Sequence, residues 1–196
     1  MEENNNIVSN KKNAIIGIVA IAVVVLIVIL GVNLLGPSPA KTVKKFCKYM
    51  NEGEVSKAFE LVDFESVYVL SELDEDEYED YKKEYKDFKD DDDAQEEFEE
   101  GMEYIEEMVE TLEDSISDYD EFSVEVDEIK STKKEGSKIW KVKAKIEYKM
   151  EYEEEYIDED EKETLEFYVV KKGMKYYLAG GDGLSTIMAG GSYSYY

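Results

Sequence analysis

A chain of 196 residues with 49 acids, 23 bases and a formal charge of −26 is poorly suited to nucleic acid, because its net field repels phosphate. All 23 bases are lysine and histidine is absent, so the usual general base, the commonest metal ligand and the planar fork that grips phosphate are all missing. The single cysteine closes no disulfide within the chain and builds no zinc site.

Ala14 to Leu35 is a run of 22 residues without a charge, 16 of them Ile, Val or Leu. As a helix it is about 33 Å long, enough for a hydrocarbon core of about 30 Å. A cleaved signal peptide competes with that reading, since small residues follow at Ser38-Pro39-Ala40. Signal-peptide cores span about 7–15 residues, so the length favours an uncleaved anchor.

On this reading residues 1–13 are a cytoplasmic polar tail, 14–35 a transmembrane helix in contact with the lipid bilayer, and 36–38 a linker. Residues 39–180 are then an extracytoplasmic domain of a single-pass cell-membrane protein. A bare count of flanking lysines opposes this orientation, because Lys41, Lys44, Lys45 and Lys48 outnumber Lys11 and Lys12. Those four read instead as the wet face of a domain helix, and long domains translocate largely regardless of charge.

Ser38 is placed to cap a helix with Pro39 at its first position. The apolar stripe Val43, Phe46, Cys47 and Met50 follows helical spacing and ends at Asn51-Glu52-Gly53. Val55, Ala58, Phe59 and Val62 begin a second short helix, which completes a hairpin. Phe64 to Leu70 reads equally as a helix end or a short strand.

The acidity belongs to one stretch. Residues 63–121 hold 28 acids against four lysines. Within it, residues 72–118 are expected to be mostly helix. Tyr78, Tyr81, Tyr85 and Phe88 form one stripe, and Phe98, Met102, Ile105, Val109, Leu112 and Ile116 form another. Asp90 to Asp93 should break the two apart. The second stripe is expected to dock on the sheet. The first, tyrosine-rich and narrow, is expected to be only partly buried and to serve as a partner surface.

After residue 120 the period changes to two. Phe122, Val124 and Val126 alternate with Glu121, Ser123, Glu125 and Asp127, Glu135-Gly136-Ser137 turns the chain, and the apolar residues from Trp140 to Tyr152 alternate with four lysines, Glu147 and Glu151. A third strand carries Leu165, Phe167 and Val169, and Lys172-Gly173 turns it into a fourth. Residues 181–196, rich in Gly, Ser and Tyr, read as a disordered or loosely docked tail.

The run Lys41-Thr42-Val43-Lys44-Lys45-Phe46-Cys47-Lys48-Tyr49-Met50-Asn51-Glu52-Gly53-Glu54, followed by Ala58-Phe59-Glu60-Leu61-Val62-Asp63, resembles the opening of cystatin-like domains related to nuclear transport factor two. The resemblance covers residues 39–63 and 120–180. It implies an α+β domain in which a helical pair is wrapped by a bent antiparallel sheet of about four strands, a cone. Single-span versions of unknown function are common in low-GC Gram-positive bacteria. The long acidic insert departs from the compact family pattern, and the family motif is made of packing residues, so no catalytic position carries over.

No window of the acidic runs meets the ligand spacing of an EF-hand, and a solvated surface explains them better than a calcium site. No catalytic, metal or cofactor site is expected. Trp140, Tyr148, Phe167 and Tyr176 are the aromatics expected to face inward, around a pocket for a small apolar ligand or as plain core filling. The chain therefore reads as a membrane-anchored binding or interaction module. The alternative is a scaffold subunit of a membrane or secretion assembly; a carboxylate-dependent hydrolase is a weaker third reading.

Overall fold

The computed structural model describes residues 36–118, 121–151 and 161–188, and for residues 115, 117, 118, 121, 148–151 and 161 it describes the backbone alone. The expected tail 1–13 and membrane helix 14–35 lie outside the described residues. Among the described residues, no helix is long and apolar enough to cross a membrane. Contacts set Pro37–Tyr196 apart as one unit, and the architecture below is that unit's.

Helix α1 (Pro39–Asn51) starts as its residues dictate. The Ser38 hydroxyl accepts from the Lys41 amide at 3.3 Å, and Pro39 takes the position where a missing N–H costs nothing. Its stripe of Val43, Phe46, Cys47 and Met50 is fully buried. Burial pushes the Cys47 thiol up to about 12, so it behaves as a small hydrophobe. After the turn at Gly53, α2 (Val55–Phe59) buries Val55, Ala58 and Phe59, which completes the hairpin.

The ambiguous stretch that follows has a mixed outcome. Leu61 to Asp63 pairs with the sheet, through Leu178 N to Leu61 O and Asp63 N to Leu178 O, both at 2.8 Å. Asp63 then caps α3 (Phe64–Ser71), accepting from the Ser66 amide at 3.4 Å. A strap with a 3-10 turn at Glu75–Glu77 leads to α4 (Tyr81–Asp90) and the long α5 (Asp92–Asp118). The expected break falls on Asp91, whose extended backbone ends α4. Its carboxylate caps α5 by accepting from Asp93 and Ala94 N–H, both at 3.1 Å.

Strands β1 (Glu121–Lys134), β2 (Ile139–Glu151), β3 (Glu161–Lys172) and β4 (Lys175–Gly180) form an antiparallel meander in chain order. The fold is thus α+β, with six helices and a four-stranded sheet among the described residues. One sheet face carries Val142, Ala144, Ile146, Leu165, Phe167 and Leu178 into a core shared with α1 and α2. Asn51 ties the far end of α1 to β1 by accepting from the Val124 amide at 3.2 Å.

Alternation turns the neighbouring residues Ile139, Val170 and Ala179 to the other face, where they are equally buried. This second core contains Val69 and Leu70 of α3, with Tyr78, Tyr81 and Phe88. The tyrosine stripe expected to be partly exposed is therefore the more buried of the two. Tyr78, Tyr81 and Phe88 are 5%, 4% and 7% exposed, and Tyr85 is half-buried beside them. The cause is the apolar second face of the sheet, which needs a cover.

The α5 stripe differs from expectation in the opposite sense. Phe98, Met102, Ile105, Val109 and Leu112 are half-buried, and α5 packs chiefly on α2 and α4 rather than on a strand. Ser56 of α2 donates to Glu113 at 3.3 Å. The expected disordered tail also yields an element, α6 (Asp182–Met188), whose Leu184 and Ile187 join the main core. Residues 189–196 lie outside the described residues.

Gly183 of α6 lies tight against the sheet: a methyl group there would collide with the buried Phe167 ring. Gly183→Ala should therefore destabilise the domain by about 1–3 kcal/mol. Adding Phe167→Leu should recover part of that loss, a non-additivity readable in urea denaturation of the two single variants and the double.

Candidate functional site

Two charged clamps hold the acidic cover on the sheet. In the first, the Lys172 ammonium at the end of β3 reaches Asp63 at 2.5 Å, the Tyr85 hydroxyl at 2.8 Å and Glu65 at 3.4 Å. Tyr85 donates to Glu65, and Lys89 meets the other oxygen of that carboxylate at 2.7 Å. Below them Ser66 donates to Asp63 at 2.8 Å and lies 2.7 Å from the Tyr81 hydroxyl. Two lysines thus face two carboxylates, with tyrosines filling the remaining positions.

The second clamp has the same balance. Glu75, on the strap, accepts from Lys141 at 2.7 Å and from the Tyr168 hydroxyl. Lys141 also meets Glu166 at 3.1 Å, and Lys143 pairs with the other Glu166 oxygen.

The titration directions agree with this geometry. Burial works against the Glu65 charge, but hydrogen bonds from Lys89 and Tyr85 outweigh it and hold the carboxyl below its ordinary value. Glu75 is held low by Lys141 and Tyr168, and Glu166 by Lys143. Burial opposes the charge on Lys172 and on Lys141, yet their hydrogen bonds to carboxylates and tyrosines raise both above the ordinary lysine value. Burial pushes the Tyr81 hydroxyl up to about 12. Glu65, Glu75 and Glu166 are thus held as carboxylates and Lys141 and Lys172 as ammonium ions, which suits fastening rather than proton transfer.

Between the clamps and α5 the packing is incomplete. A cleft of about 510 Å³ opens where α3 (Val67, Leu70, Ser71), Tyr78 of the strap, Met108 of α5, Tyr168 of β3, Ala179 and Gly180 at the end of β4, and α6 (Leu184, Ser185, Met188) meet. That volume falls within the range of small-molecule pockets, about 300–1,000 Å³. Among the described residues no Asp, Glu or Lys lines it. Its serines are already engaged, Ser71 donating to Tyr68 O at 2.7 Å and Ser185 to Asp182 O at 3.0 Å. Tyr78 packs edge-on against Tyr168 with centroids 5.2 Å apart, so an aromatic pair forms one wall.

The floor depends on Gly181. Its φ of 96° favours glycine, and any Cβ there would strike the Glu166 carbonyl. Asp182 then fastens the corner by accepting from the Glu166 amide at 2.5 Å. This Gly-Gly-Asp turn followed by Leu184, Ile187 and Met188 at helical spacing is the signal that reveals α6; over seven residues it is easily taken for a Gly/Ser tail.

The aromatics expected to surround a pocket are placed elsewhere. Phe167 is fully buried under α6 as core filling. Trp140 and Tyr176 come together edge-on at 5.3 Å, half-buried, near the sheet end that carries the hairpin turns. Tyr148 lies on β2 opposite Val124, and its side chain is outside the described residues. Neither Trp140, Phe167 nor Tyr176 lines the cleft. Among the described residues no group of three or more His, Cys, Asp or Glu side chains could hold a metal ion. Asp87 and Asp90 to Asp93 line only an open acidic surface.

No protein family, curated protein or solved structure matches this chain at a significant level. The cleft and clamps must be read on their own chemistry.

Because Glu65, Glu75 and Glu166 are held low in the folded chain, their stabilising contribution is complete above the unfolded value of about 4.3 and is lost as pH falls through the folded values. Lys172→Met leaves Asp63 and Glu65 short of a partner and should cost about 1–3 kcal/mol at pH 7. Urea denaturation from pH 7 to pH 3 should show the gap between variant and parent closing below about pH 4.3, as the carboxyls protonate in both.

Proposed function

We propose that this chain is a single-pass membrane protein whose α+β unit is a binding module, with residues 1–13 cytoplasmic and the unit on the outer side. On this reading the cleft holds a small apolar ligand or the apolar side chains of a partner. The cleft itself carries the proposal: an apolar hollow of about 510 Å³ is a surface that water serves poorly and an apolar group serves well. A binding role also suits a chain without histidine whose clamp carboxylates are all engaged with lysines.

The helical hairpin packed on an antiparallel meander supports the cystatin-like reading of the family resemblance. The membrane anchor rests on the uncharged run Ala14 to Leu35. A scaffold role is the second reading, and α5 favours it: its apolar stripe is only half covered, and Tyr104 on the same helix is 70% exposed.

Two measurements test the proposal. The full chain should resist alkaline carbonate extraction from membranes, and protease added to intact cells should remove the α+β unit; a C-terminal tag protected until lysis contradicts the orientation. For the cleft, Met108→Trp fills the space from the α5 side. Titration of residues 37–196 with an apolar naphthalene fluorophore should show saturable binding that this variant abolishes while its thermal unfolding stays cooperative. Equal binding by parent and variant would remove the cleft as the site.

A further inference from the structure

The acidic character of this chain reverses at one end of the domain. Segments 37–45, 133–141 and 171–176 together hold ten lysines and a single acid, Glu135. They are brought to one place by the fold. The β1–β2 and β3–β4 turns lie at the same end of the sheet, joined by Lys171 N to Lys138 O at 3.0 Å. The first turn of α1 comes to that end as well, where the Thr42 hydroxyl donates to Tyr176 O at 3.4 Å.

We infer that this end of the domain is a second membrane contact, a basic and aromatic face that lies on the anionic lipid headgroups of the bilayer holding the anchor. The inference rests on the membrane-anchor reading above. Only residues 36–38 separate Leu35 from α1, a spacer of about 11 Å at full extension. The headgroup layer is about 5–8 Å deep on each side of the hydrocarbon core, so a spacer of that length leaves it within reach of the domain.

The chemistry of the face matches that layer. Lys41, Lys44 and Lys45 are exposed on α1, and Lys138 and Lys175 are exposed at the two turns. Trp140 and Tyr176 form their edge-on pair here, with Lys134 over the first ring and Lys171 over the second. Tryptophan and tyrosine with lysine are the side chains that settle at a bilayer interface, the rings at headgroup level and the ammonium groups reaching for phosphate. Met174 projects from the β3–β4 turn, 85% exposed.

Two features limit the face and orient it. Lys141 and Lys172 are neutralised by carboxylates within the clamps, and on the opposite side of the sheet the acidic strap passes its Tyr78 backbone against Gly136. The positive field is therefore confined to the side that α1 shares, which sets that side toward the bilayer. Repulsion between lipid and the acidic segment opposes docking, but beyond about 8 Å it is screened at physiological salt, whereas lysines in contact are not.

Trp140 is the only tryptophan in the chain, which makes it a clean reporter. The full-length protein is inserted into vesicles of phosphatidylcholine alone or mixed with phosphatidylglycerol, each carrying lipid brominated near the headgroup. Quenching of Trp140 is expected in the anionic vesicles and not in the neutral ones, and high salt should abolish it. Joint replacement of Lys134, Lys138, Lys171 and Lys175 by Gln should reduce quenching to the neutral level. A second readout avoids any folding defect in that variant: Met174→Cys with an environment-sensitive label, Cys47 being buried and unreactive, should shift its emission to the blue in anionic vesicles only. Protein that floats with vesicles but shows neither signal, or shows both equally in neutral lipid, overturns the inference and leaves the anchor standing. Protein that does not float overturns the anchor reading, and the inference with it.

Discussion

Ile139, Val170 and Ala179 point away from the main core, so the sheet is apolar on both faces where these residues of β2, β3 and β4 lie, and it must be covered twice there. Burying residues such as Ile139 and Val170 is worth about 1.5–3 kcal/mol each, and the whole stability of a domain is about 5–15 kcal/mol. The segment available to cover them is the most acidic in the chain. Its charges repel one another, but most are exposed and separated by water and salt, where each interaction falls to tenths of a kcal/mol. Burial prevails, and the two lysine–carboxylate clamps fix where the cover lies. Lys172 and Lys141 supply from the sheet the positive charge that the cover lacks.

That solution leaves a gap. α3 and the strap follow the sheet closely, whereas α5 leans on α2 and α4, and α6 folds back from the end of β4. The cleft is the space these elements fail to close, with Met108 and Met188 at its margins. Methionine is a flexible lining that accommodates different apolar shapes. The same division of labour separates the charged end of the domain from the cleft: Trp140 and Tyr176 belong to the hairpin turns and α1, and not to the cavity.

Much of the fold was legible because short-range rules govern it. The Ser38-Pro39 cap, the stripe from Val43 to Met50, the break at Asp91 and the turns at Gly136 and Gly173 each follow from local chemistry. What could not be read was which stripe is buried. Period-two alternation assigns one apolar face to a strand, so Ile139 and Val170 pass for irregularities. Only the three-dimensional position of α3 and α4 shows that they form a second core and that Tyr78, Tyr81 and Phe88 cover it. The cleft escapes a reading of the sequence for a related reason. Large aromatics were the obvious lining, but Phe167 is taken up by Gly183, and the cleft is built from residues such as Val67, Leu184 and Gly181 that carry no signal until α6 is recognised.

The central claim is that the acidic segment is an integral cover of the sheet and not a flexible appendage. Native-state hydrogen exchange of the α4 amides, Tyr81 to Asp90, tests this most directly. If α4 completes the second core, its slowest amides exchange with an opening free energy close to that of β2 and β3, and Lys172→Met lowers both together. Exchange of α4 near the rate of an unfolded chain while β2 and β3 remain protected would contradict the account.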